Sequence, residues 1–140
     1  MAHYTGSNWS VIGLASIGAG ACTVAGAAPP AAPATYLANI VAELQKQWPT
    51  NRTVNIVCHG HSVPAGYFKT PAVHTLKAYP QLLLRGLKAR FPYAVINVIV
   101  TARGGENSES GAARFEHEVL ALHPDVVTID YSLNDRGLGL

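Results

Sequence analysis

Charge is in short supply in this chain. Asp, Glu, Lys and Arg make up only 13% of the 140 residues, and the ten Lys and Arg are scattered. No run is dense enough for a nucleic-acid footprint, so the composition argues against binding to a phosphate backbone. Cysteine is scarcer still. Cys22 and Cys58 form neither a disulfide framework nor a zinc ligand set. A strongly apolar run is missing as well: the uncharged segment Val11 to Ala28 is mostly Ala and Gly, too weakly hydrophobic for a membrane span. There is no internal repeat and no coiled-coil period. Hydrophobic residues, by contrast, reach 49%, a globular composition and not a disordered one. The length suits about one domain, able to bury roughly two-thirds of its unfolded surface.

Residues 1–34 read as a leader. Ala25-Gly26-Ala27 offers the small-x-small pattern of a signal-peptidase site, and the Pro29-Pro30-Ala31-Ala32-Pro33 hinge follows. The first ten residues carry no Lys or Arg, so the usual positive start is missing. The expectation is an export signal, and hence a periplasmic or extracellular protein, with a flexible N-terminal extension as the alternative.

From residue 35 the pattern changes. Tyr36, Leu37, Ile40, Val41 and Leu44 recur at helical spacing, with Thr35 placed to cap the start and Trp48-Pro49 to stop it. Thr53 to Cys58 is β-branched and reads as a strand. His59 to Ala78 reads as a loop, and Tyr79-Pro80 opens a helix whose apolar face is Leu83, Leu84, Leu87 and Phe91. A second strand is expected over Ala94 to Thr101, a loop over Ala102 to Ser110, and a helix from Gly111 to about His123. A third strand, Asp125 to Tyr131, leads into Ser132-Leu133-Asn134-Asp135. Apolar strands alternating with helices predict an α/β fold with a doubly wound parallel sheet covered on both faces.

In such a sheet ligands bind beyond the carboxyl ends of the strands. The three strand ends offer Gly60-His61-Ser62, Gly104-Gly105-Glu106-Asn107 and Ser132-Leu133-Asn134-Asp135. A hydroxyl, a flexible glycine backbone and a side-chain amide are what acyl transfer needs: a nucleophile and N–H donors for the oxyanion. Ser62 is the candidate nucleophile, and a helix-capping serine is the alternative. The Ser62 and Gly105 N–H groups and the Asn134 amide are the candidate oxyanion donors. Gly104 competes with Gly105, and an Asx turn is the alternative for Asn134.

The segments GHSVPAG, ARGGENSESGAARF and YSLND resemble the first three sequence blocks of the SGNH (GDSL-type) hydrolases. The family's Gly-Asp-Ser block matches Gly60-His61-Ser62, its oxyanion glycine Gly105, and its Gly-x-Asn-Asp block Ser132-Leu133-Asn134-Asp135. The resemblance implies a flavodoxin-like three-layer α/β/α domain over residues 35–140, a serine esterase acting on short acyl esters, and no metal or organic cofactor. O-acetyl groups on carbohydrates are favoured over long lipids, because no broad apolar groove is evident. His61 stands where the family has Asp, and Ser132 where it has Gly. No Asp-x-x-His, the block that carries the family's general base, occurs in these 140 residues. The expectation is that a His and an Asp beyond residue 140 complete the site, together with the last strands of the sheet. A non-catalytic binding module or an inactive fragment is the alternative.

Among the remaining polar residues, Arg103 and Glu106 flank the second loop and are candidate substrate contacts by position. His61 is expected to hydrogen-bond within its loop or to bind substrate. As a replacement base it is disfavoured, because an adjacent residue should point its side chain elsewhere. His74 is a weaker substitute. His59, His61 and Cys58 do not make a metal site, since Cys58 is committed to the strand. Asp135 and Arg136 are placed to pair locally.

Overall fold

The structure, a computed structural model, describes Ala32 and residues 35–139. The leader otherwise lies outside the described residues, so the export reading is not addressed by the fold. Among the described residues no helix is long and apolar enough to cross a membrane.

Three strands form one parallel sheet: β1 (Thr53–Gly60), β2 (Val95–Val100) and β3 (Val126–Asp130), in the order β2-β1-β3. This is the order of the first three strands of a flavodoxin-like sheet. The register pairs Thr53 with Val95 through Cys58 with Val100 on one side. On the other it pairs Ile56 with Val126 through Gly60 with Asp130. Its central position explains why β1 is buried on both faces: Val54, Ile56, Val57, Cys58 and His59 are all 4% exposed or less. Among the described residues β2 and β3 each pair with β1 alone, and they are only partly buried.

Helices α1 (Ala38–Gln45) and α3 (Tyr79–Arg90) cover one face. Leu44 and Ala94 join Val54, Ile56 and Cys58 in the core, with Ile40, Tyr79, Leu83, Leu87 and Phe91 packed around them. Each such aliphatic side chain stabilises the fold by roughly 1.5–3 kcal/mol on burial. Burial pushes the Tyr79 hydroxyl up to about 12, and that hydroxyl meets Thr128 Oγ1 at 2.8 Å. The opposite face is covered by α4 (Ser108–Ala113) and α5 (Phe115–Glu118). There His59 packs edge-on against Phe115 and Tyr131, with ring centroids 5.5 Å apart in each case. The fold is therefore the expected three-layer α/β/α arrangement.

Local boundaries differ from expectation where side chains compete for backbone groups. Thr35 does not cap α1: its hydroxyl bonds Ala32 O at 3.2 Å, and the helix starts at Ala38. The third helical segment starts at Ser108 and not at Gly111, because Asn107 Oδ1 accepts the Ser110 N–H at 3.0 Å. It then breaks into α4, α5 and a 3₁₀ turn over Leu120–Leu122. His59 and Gly60 extend β1 beyond Cys58. The segment expected as loop begins with a one-turn helix, α2 (Ser62–Ala65), ended by Gly66 at φ 94°.

Candidate active site

The chain leaves β1 at Gly60 and enters α2 at Ser62, so the whole turn is a single residue, His61. Gly60 is required there: a Cβ would lie 2.5 Å from Asp130 O and 3.1 Å from Pro64 Cγ. The tight turn brings the end of β1 against the end of β3, and His61 N–H donates to Asp130 O at 3.0 Å.

His61 is 1% exposed and caps α2: its Nδ1 accepts the Val63 N–H at 3.2 Å. Ser62 is thus not the cap but the first residue of the helical turn. The expected divergence of adjacent side chains does not hold. The strand-to-helix turn swings the imidazole back, placing Nδ1 3.2 Å from Ser62 Oγ. On its far side Nε2 lies 3.3 Å from Asp130 Oδ1. Asp130, the last residue of β3, was not singled out from the sequence. The readable signal was a carboxylate at a strand's carboxyl end.

The second loop is anchored to the first by Thr101 N–H on Cys58 O (3.1 Å) and Arg103 N–H on Gly60 O (2.9 Å). Gly105 adopts φ 80°, with nothing within 4 Å of where a Cβ would sit. Its N–H engages no acceptor among the described residues, and the Ser62 N–H lies at a helix start, where no helical acceptor exists. Gly104, the competing glycine, lies against the Tyr67 ring: a Cβ there would sit 3.0 Å from Tyr67 Cε2.

Asn134 closes the arrangement from the third loop. One N–H of its amide donates to Glu106 O at 2.7 Å, which ties the loop after β3 to the loop after β2 and leaves the second N–H of the group. Asp135 does not pair with Arg136 but accepts the Ser108 N–H at 2.8 Å.

Glu106 is turned inward. Its carboxylate pairs bidentately with the buried Arg114 guanidinium, whose Nε lies at 2.7 Å, and accepts the Tyr131 hydroxyl at 2.9 Å. The Glu106 and Arg114 side chains are 8% and 9% exposed. The Arg114 guanidinium holds the Glu106 carboxyl below the usual carboxylate range. Glu106 in turn raises the Arg114 pKa, and burial, with Glu106 beside it, raises that of Tyr131. Glu106, expected from its position to contact substrate, is held by Arg114 and Tyr131 and braces the loop. Arg103 is exposed and pairs with Glu118 at 2.6 Å, an ion pair worth little on the surface. Glu118 also bonds Arg114 at 2.7 Å. Arg114, Tyr131 and His59 went unremarked as supports, because their partners lie on other elements.

His59 bridges Thr101 Oγ1 (2.8 Å) and Gly111 O (3.2 Å), and burial lowers its pKa. His74 lies farther along the first loop, stacked on Phe68 with centroids 5.3 Å apart. Cys58 is a free, fully buried thiol. Among the described residues no group of three or more His, Cys, Asp or Glu is disposed to hold a metal ion. A surface hollow of about 160 Å³ lined by Leu44, Arg90 and Tyr93 lies at the opposite end of the strands from these loops.

A doubly wound α/β domain with a serine, a glycine turn and an asparagine on three successive strand ends has the layout of an α/β hydrolase of the SGNH class. The chain belongs to the GDSL-like lipase/acylhydrolase family, whose model matches residues 58–140. No curated protein is matched at a significant level. Among solved structures, a two-domain esterase active on acetylated mannans, co-crystallised with mannopentaose, is 27% identical with a TM-score of 0.62. That match covers 72% of this chain and 26% of the other. The same esterase in a second crystal structure gives 25% identity, a TM-score of 0.58, and coverage of 68% and 24%. A lipase/acylhydrolase from Enterococcus faecalis is 29% identical with a TM-score of 0.49, covering 59% and 40%. The chain spans about a quarter of the length of the mannan esterase.

Proposed function

We propose that this chain carries the nucleophile and oxyanion half of a serine esterase acting on short acyl esters, O-acetyl groups on carbohydrates foremost. Ser62 Oγ attacks the carbonyl carbon. The Ser62 N–H, the Gly105 N–H and the remaining N–H of Asn134 meet the oxygen that gains charge. The observation that carries this reading is the lacing of the three strand-end loops. Hydrogen bonds from Arg103 to Gly60 O and from Asn134 to Glu106 O hold the loops bearing the three groups at one edge of the sheet. Preorganised donors cost no reorganisation as charge develops, and one such donor is worth about 10²–10³-fold in rate. Family membership supports ester hydrolysis, and the carbohydrate preference draws support from the mannan esterase among the structural neighbours.

The test compares hydrolysis of a chromogenic acetyl ester by the chain and by its Ser62→Ala variant, followed by acetate release from acetylated mannan. Ser62-dependent turnover that falls off with longer acyl chains is expected. Binding of the acetylated glycan that survives in Ser62→Ala, with no turnover by either protein, would instead favour a non-catalytic binding module.

A further inference from the structure

The aromatic ring between the Ser62 turn and the glycine loop carries an inference that rests on the esterase reading and its carbohydrate preference. We propose that Tyr67 is the specificity-determining wall of the site. Its ring stacks on the C–H face of the sugar that bears the acyl group, and its hydroxyl bonds a hydroxyl of that sugar.

Three observations converge on this residue. Tyr67 closes the helical turn that Ser62 opens: its N–H donates to Ser62 O at 3.0 Å, so the ring is placed from the candidate nucleophile itself. A bridge to Val73 and the His74 N–H on Gly66 O at 2.7 Å hold the segment from its other side. The ring then crosses to the second loop. A Cβ on Gly104 would lie 3.0 Å from Tyr67 Cε2, 3.1 Å from Cζ and 3.4 Å from Oη, too close unless the ring moves away. Gly104 is thereby accounted for by Tyr67, and the next residue, Gly105, by the oxyanion. The phenol thus spans the gap between two of the three candidate oxyanion donors. Finally, the ring is 43% exposed, and its hydroxyl engages no partner among the described residues.

The chemistry of that surface selects its occupant. A tyrosine offers an apolar face and a polar tip that seeks a hydrogen-bond partner when covered. An acyl chain would match only the face. A pyranose matches both, with C–H groups across one face and hydroxyls around its rim. A single polar group on an apolar wall also fixes the orientation of what binds there.

A purely packing role for the ring is the rival, and ligand-side readouts separate the two. Binding of an acetylated manno-oligosaccharide to the 140-residue chain carrying Ser62→Ala is followed by calorimetry and proton NMR, alone and with Tyr67→Phe or Tyr67→Leu added. Sugar C–H resonances are expected to shift upfield on binding, under the ring current of Tyr67. Tyr67→Leu should abolish that shift and weaken binding about tenfold. Tyr67→Phe, which keeps the ring against Gly104, should keep the shift and weaken binding about threefold. Melting curves accompany each variant, and the Tyr67→Phe data with the upfield shift decide the matter where Tyr67→Leu loses its fold. An oligosaccharide that binds Tyr67→Leu as tightly as the parent, or that binds with no upfield shift, would overturn the proposal and leave the esterase reading intact. So would a chain that hydrolyses a chromogenic acetyl ester through Ser62 yet does not bind the oligosaccharide. A chain that does neither would sink the esterase reading itself, and the Tyr67 wall with it.

Discussion

Replacing Arg114 by Met removes a guanidinium from a site where its chief partner stays behind. The Glu106 and Arg114 side chains are 8% and 9% exposed, and Glu106 would keep only the Tyr131 hydroxyl, at 2.9 Å. Removing one partner of a buried pair leaves an uncompensated charge and costs about 3–5 kcal/mol. For a domain of this size that corresponds to a melting point at least about 12 °C lower, at roughly 4 °C per kcal/mol. The sign of the pH dependence is a sharper readout than the size. In the parent chain the folded Glu106 pKa is depressed by Arg114. Its contribution is therefore fully present above the unfolded value of about 4.3 and is lost as pH falls through the lower folded value. In Arg114→Met, desolvation without a cation raises the folded pKa, so stability is lost as pH rises above about 4.3. Urea unfolding followed by far-ultraviolet circular dichroism from pH 4 to 7 measures both curves. A variant within about 0.5 kcal/mol of the parent, or one whose stability relative to the parent climbs over that interval, would refute the reasoning.

Two further perturbations test the scaffold around the site. Gly60→Ala pushes a Cβ to 2.5 Å from Asp130 O, a backbone atom that cannot swing aside. We expect a loss of roughly 2 kcal/mol or more in thermal unfolding, together with loss of Ser62-dependent ester hydrolysis, because the β1–β3 approach sets the turn that leads into Ser62. An unchanged melting point would show that the strands part freely. His59, whose folded pKa burial lowers, destabilises the fold as pH drops below about 6.5, where the unfolded chain takes up a proton that the folded chain resists. His59→Asn should flatten the stability difference between pH 7.5 and pH 5.5, and a difference equal to the parent's would contradict the assignment.

Much of this was legible along the chain, and the reason is periodicity. Apolar runs at Thr53–Cys58, Ala94–Thr101 and Asp125–Tyr131, separated by helical patterns, allow few topologies beyond a parallel α/β sheet, and each strand's carboxyl end then had to present its loop on one edge. The identities at those ends, Ser62, Gly105 and Asn134, are local facts and were read as such. The tertiary structure decided what depends on groups far apart in sequence. Asn107 in place of Gly111 starts the third helical segment because a side-chain acceptor outcompetes the apolar pattern. Glu106, placed by sequence beside a substrate, is held instead by Arg114 and by Tyr131, 25 residues away. Above all, the direction of the His61 ring follows from a one-residue strand-to-helix turn and from a carboxylate on another strand. Sequence neighbours fix which groups are available. Only packing, by burying some of them and bringing distant partners within hydrogen-bond reach, fixes which way they face.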